Sequence, residues 1–215
     1  MEKSPYHIDI EPDGIYHLFT RGEGNELIFR TEENYHYFLR KLNEYTRDIC
    51  SVLAFALMPN HFHLLIKTKS EKELTEGMVM KQKTSERKSS KVSETFEVSA
   101  TEMSKFILQK FSNFLNSYTK SFNKMYDRKG GLFMNRIRRA KVKQDTDLSN
   151  FIFYIHKNAV HHGLTKNMGD WKFDSYNIIL SDKPTLLDRA FIIEWFDSKE
   201  AFIAFHQQEI RIKAK

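Results

Sequence analysis

The chain has 215 residues, of which 40% are hydrophobic, enough for one substantial core, and its single cysteine, Cys50, excludes internal disulfides and a thiolate metal cage. Its 34 Lys and Arg against 28 Asp and Glu leave a formal charge of +6, which favours a polyanionic partner. The N-terminal MEKSPYHIDI has no apolar core of signal-peptide length and nowhere do eighteen apolar residues run together, so a cytoplasmic protein without a membrane span is expected.

Residues 14 to 20, GIYHLFT, alternate as a strand does and lead into a turn-like RGEGNE. Thr31 reads as an N-cap with Glu32 and Glu33 in the first turn of a helix to about Asp48, whose Tyr35, Phe38, Leu39 and Leu42 fall at helical spacing and should face a sheet. SVLAFALM (51–58) and HFHLLIK (61–67) are apolar runs joined by Pro59-Asn60, a turn dipeptide, and predict an antiparallel hairpin. The segment from about 80 to 100, KQKTSERKSSKVSETFEVSA, has the composition of a solvated loop or arm inserted in the domain.

A helix is expected from about Thr101 to Tyr126, ended by Gly130-Gly131, then a strand from Leu132 to Lys143. A further helix, capped by Asp145 or Thr146, should run to His162, with Gly163 beyond it. The order β-α-β-β-α-β-α is that of an α+β, ferredoxin-like split βαβ fold: a four-stranded antiparallel sheet with helices on one face, plus an added helix. This domain should occupy residues 1–180, and residues 181–215 should form a C-terminal helical extension of two short helices.

Within the second hairpin strand, His61 and His63 lie two residues apart and so point the same way, while Phe62, Leu64 and Ile66 enter the core. Two neutral imidazoles so placed can hold one divalent cation, although paired surface histidines would read the same. In the added helix Tyr154 and Asn158 are four residues apart and share a face, with His161 extending a polar stripe beside the apolar Leu148, Ile152, Ile155 and Ala159. Ordinary packing beside Phe151 and Phe153 would also account for Tyr154. From Lys120 to Lys143 there are nine Lys and Arg against one acid, Asp127. Within that stretch Lys129, Arg136, Arg138, Arg139, Lys141 and Lys143, interleaved with Phe133 and Ile137, suit a phosphate backbone with occasional base stacking. Arg136 and Arg138 should share one strand face and Arg139 the other.

MPNHFHLLIK, a basic G-x-x-x-x-R segment, YIHKNAVHHGL and WKFDSY resemble, in order and spacing, the single-tyrosine HUH transposases, and more closely the REP-associated tyrosine transposases. The resemblance covers roughly residues 14 to 176. It implies a metal, Mg²⁺ or Mn²⁺, held by His61 and His63 with Asn158 as a helix ligand, and Tyr154 as the nucleophile. It further implies single-stranded DNA with hairpins as substrate, cleaved through a 5′-phosphotyrosine and rejoined by the freed 3′-OH, and it leaves a homodimer open. Two departures stand out: Ala159 follows the helix asparagine where relatives commonly have proline, and the 80–100 insertion is longer than usual. A protein that binds DNA hairpins without cutting them is the competing expectation. A metal-dependent hydrolase would need more ligands and a general base.

Overall fold

The computed structural model describes residues 6–86, 98–134, 137–143 and 145–208, the side chains of 81–86, 145 and 146 excepted. Its sheet contains β1 (Ile15–Arg21), β2 (Cys50–Met58), β3 (His61–Thr68) and β4 (Arg138–Lys141) in the order β2-β3-β1-β4, with every neighbouring pair antiparallel. This is the expected split βαβ sheet.

Helices α1 (Glu32–Thr46) and α3 (Ala100–Met125) cover one face. Phe38 of α1 meets Phe62 of β3 and Phe114 of α3 at ring-centroid distances of 5.0 and 4.8 Å. The periodic apolar residues of α1 dictate this packing, and Thr31 and Asn34 close its start with a capping box. Ser99 and Glu102 do the same for α3. Helix α4 (Asp145–His161) lies on the opposite face, against β2 and β3. It ends as expected at Gly163, whose φ of +69° is readily adopted only without a Cβ.

An edge strand buried on both faces needs its free backbone groups covered. The outer edge of β2 is covered by the chain from 171 to 188: Leu57 N–H donates to the Phe173 carbonyl, Ser175 N–H to that of Phe55 and Asp188 N–H to that of Val52. Three short helices follow along this path, α5 (Tyr176–Leu180), α6 (Arg189–Trp195) and α7 (Lys199–His206). The last two fall where the extension was expected to be helical. No helix among the described residues is long and apolar enough to cross a membrane.

Two elements differ from expectation. Residues 80–86, expected to be loop, finish a helix α2 (Glu71–Glu86), and the remainder of the expected insertion up to 97 lies outside the described residues. The overlooked signal is a reciprocal pair, Ser70 Oγ to Glu73 Oε2 at 2.7 Å and Glu73 N–H to Ser70 Oγ at 3.4 Å, followed by the buried Leu74. Of the strand expected from Leu132 to Lys143, the described residues form only Arg138–Lys141, paired with Tyr16 to Phe19 of β1. Phe133 makes instead an isolated bridge to Gly22.

Candidate active site

The register places Ala56, His63 and Phe19 side by side, and beside them Met58, His61 and Arg21, all on the α4 face. On β1, His17, Phe19 and Arg21 share that face by strand alternation. Tyr154 comes down from α4 onto this surface, its ring edge-on to His63 at 5.5 Å and to His17 at 6.0 Å. His61, His63 and Tyr154 are therefore brought together, and Asn158, one turn along α4 from Tyr154, reaches His61.

The imidazoles are oriented by their outer nitrogens. His61 Nδ1 lies 2.7 Å from Asn60 Oδ1, an oxygen that can only accept, so Nδ1 carries the proton and Nε2 is left with a lone pair. His63 Nδ1 lies 2.8 Å from His17 Nε2, which leaves His63 Nε2 unengaged in that contact. Burial pushes the His17 imidazole down to about 3 and that of His61 to about 4, helped for His61 by the neighbouring His162. Burial, with His17 and His61 nearby, holds His63 well below the usual histidine range. All three are neutral near pH 7, the form that ligates cations.

Asn158 is fully buried, and neither its Oδ1 nor its Nδ2 has a hydrogen-bond partner. Its amide raises the proton affinity of His61 without making a hydrogen bond of ordinary geometry. Leaving buried polar atoms unmade costs about 1–3 kcal/mol each. The donor set of two neutral imidazole nitrogens and an unclaimed carboxamide oxygen fits a divalent cation whose other positions go to water or phosphate oxygens. Among the described residues no three His, Cys, Asp or Glu side chains form a metal cage, so an ion here would need the Asn158 oxygen or ligands from outside the chain.

A cleft of about 410 Å³ opens from this point, lined by Phe19, Arg21, His61, His63, Arg138 and His162 among others. Of the predicted basic residues, Arg138 joins it, and its guanidinium also sits 5.9 Å from the Tyr6 ring centre. Arg139 turns the other way and is buried, donating to the Ile8 and Ile137 carbonyls, so it is a structural residue rather than a surface contact. The expected alternation of 138 and 139 holds, and it removes Arg139 from the basic surface. Lys141 pairs with Glu11. Lys143 and Lys129 are exposed. Arg136 lies outside the described residues.

Sequence reasoning missed His17, Phe19, Arg21, Asn60 and His162. The first three stand at i, i+2 and i+4 of one strand, a signal present in YHLFTRG, but only pairing with β3 aligns them with His61 and His63. His162 comes from the turn after α4 and packs edge-on to His61 at 4.7 Å.

A split βαβ sheet presents an H-x-H pair to a helix-borne tyrosine and carboxamide, the arrangement that the resemblance in the sequence implies. No family model matches the chain. A curated protein of Haemophilus influenzae, provisionally named as a REP-associated tyrosine transposase, is 28% identical over 74 residues, which are 34% of this chain and 42% of that relative. The match thus spans less than half the relative's length. The solved structure of a REP-associated tyrosine transposase bound to a REP hairpin superposes with a TM-score of 0.56 at 13% identity, covering 87% of this chain and 94% of that one. A bacterial tRNA(His) guanylyltransferase-like protein in complex with GTP aligns over 77% of this chain and 74% of that one, at 11% identity and a TM-score of 0.39, too distant to argue from. In sequence and in fold together, the chain resembles the REP-associated tyrosine transposases.

Proposed function

We propose that this protein cleaves and rejoins single-stranded DNA beside a hairpin, with Tyr154 as the nucleophile. The observation that carries the reading is the convergence of Tyr154, His63, His61 and the unpartnered Asn158 amide beside a cleft bearing Arg21 and Arg138. The solved relative's hairpin supports the choice of substrate.

In this reading Arg21 and Arg138 hold the phosphate backbone, and Phe19 offers a ring for a base to stack on. The Tyr154 oxygen bonds phosphorus as the P–O3′ bond breaks; the phenolic proton passes to water and the leaving 3′ oxygen takes one up. The products are a 5′-phosphotyrosine and a free 3′-OH; attack of a 3′-OH on the phosphotyrosine expels the Tyr154 oxygen, resealing the strand when that 3′-OH is the one just freed and joining a new strand when it belongs to another end. His61, His63 and Asn158 would hold Mg²⁺ or Mn²⁺. Such an ion, when bound, stabilises the charge that develops on the scissile phosphate.

The test is incubation with labelled hairpin DNA carrying a single-stranded flank, with Mg²⁺ or Mn²⁺ added, followed by denaturing electrophoresis. A covalent protein–DNA band that forms in the native protein and disappears in Tyr154→Phe is expected. Tight hairpin binding without any adduct would favour the binding-only alternative.

A further inference from the structure

Behind the catalytic face of α4 lies a second group of buried polar side chains for which the cleavage reaction has no use. His156 is two residues from both Tyr154 and Asn158, and two helical steps turn it through about 200°, to the opposite side of the helix. It is fully buried, as is Ser175, and His206 of α7 is nearly so. Phe153, Tyr176 and Phe202 pack around them.

The hydrogen bonds here determine one another. The Phe202 carbonyl can only accept, so His206 Nδ1, 2.8 Å away, carries a proton and His206 Nε2 is an acceptor. His156 Nδ1, at 2.9 Å from that nitrogen, must then donate, which leaves His156 Nε2 as an acceptor for the Ser175 hydroxyl at 2.7 Å. Ser175 Oγ in turn accepts from the Phe55 N–H of β2 at 2.9 Å, and its 3.2 Å approach to the Phe55 carbonyl is the longer claim on the one hydroxyl proton. A buried imidazolium in this apolar setting would be costly, so both rings are neutral, and the chain of donors runs without a break from β2 through α4 to α7.

We propose that His156 and His206 are positioning residues: the relay clamps the back of α4 between β2 and α7, and so sets the angle at which Tyr154 and Asn158 face the imidazoles of β3. This gives residues beyond 180 a role in the reaction, and it rests on the reading of Tyr154 as nucleophile. A misplacement of about 1 Å at reacting groups can cost roughly 10²-fold in rate. Losing one end of the clamp should slow chemistry and leave DNA binding alone, because no member of the relay lines the cleft.

The experiment compares His206→Leu and His206→Gln with the native chain in single-turnover adduct formation at saturating hairpin DNA. A glutamine can accept from His156 Nδ1 through Oε1 and donate to the Phe202 carbonyl through Nε2, whereas leucine can do neither. The leucine variant should lose about tenfold to a hundredfold in rate with hairpin Kd within about twofold, and glutamine should restore most of the rate. An unchanged rate in folded His206→Leu overturns the proposal, as does an equal loss in both variants that tracks their melting temperatures. Should the leucine variant not fold, ¹⁵N chemical shifts of the native histidines decide: a protonated Nε2 on His156 refutes the relay. If the native protein makes no adduct, the nucleophile reading falls by itself. The clamp is then read by hydrogen exchange of the α4 amides, which should speed up at least tenfold in His206→Leu but not in His206→Gln; unchanged exchange overturns it.

Discussion

On the front of α4, the imidazoles of His17, His61 and His63 lead to an Asn158 amide that makes no hydrogen bond of ordinary geometry, and a cleft opens beside them. On the back, His156 and His206 have all four ring nitrogens engaged in a closed series ending on backbone groups. Both regions bury neutral histidines in one helix–sheet interface, so burial alone does not separate a site from a clamp. The difference lies in what remains unsatisfied. Of the four buried side-chain polar atoms without a partner among the described residues, two belong to Asn158. A folded chain tolerates such a cost where a ligand removes it.

The sharpest way to break this comparison is Tyr154→Phe. It should lower adduct formation by roughly 10³-fold or more while hairpin affinity, measured by gel shift, stays within about twofold. A persisting adduct would move the nucleophile off the front of α4.

Next come the imidazoles. His61→Ala and His63→Ala should abolish measurable Mn²⁺ binding by calorimetry with little loss of DNA affinity at moderate salt. His17→Phe keeps a ring beside Phe19 but frees His63 Nδ1, and should weaken Mn²⁺ binding about 10–100-fold, as losing a ligand's orienting partner does. Equal Mn²⁺ binding in all three would make the front as structural as the back.

Asp174, the neighbour of Ser175, blurs the comparison, since its Oδ2 is buried without a partner and burial pushes the carboxyl from 3.8 up to about 7. Because the folded protein holds this proton more tightly than the unfolded chain, its contribution to stability is fully present below about pH 4 and is lost as pH rises through about 7. Asp174→Asn should therefore gain roughly 2–4 kcal/mol over the native protein at pH 8 in urea unfolding, and nearly nothing at pH 4. A pH-independent difference would mean that Oδ2 is solvated.

The smallest effects separate the two arginines of β4. Arg138→Ala should flatten the slope of log affinity against log salt by roughly 0.7 if one phosphate contact is lost. Arg139→Ala should leave the slope alone and cost about 1–3 kcal/mol of stability, because it leaves carbonyls unpaired.

Periodicity in the sequence was enough for the sheet and for α1, α3 and α4, since the apolar faces of Phe38, Phe114 and Ile152 repeat at the spacing their elements impose. It also gave the H-x-H pair and the Tyr154–Asn158 stripe, because strand alternation and one helical turn are local geometry. The Ser70–Glu73 capping pair is equally local, but its helix runs on to Glu86, into a stretch whose composition by itself reads as loop. What no local pattern carries is which strand lies next to which. His17 lies 46 positions from His63, and His156 lies 50 from His206, so their hydrogen bonds exist only once β1 has paired with β3 and α7 has folded back over α4. The fate of Arg139 was decided in the same way: alternation put it opposite Arg138, but only the pairing of the 6–8 segment along the outer edge of β4 gave its guanidinium the Ile8 carbonyl to donate to.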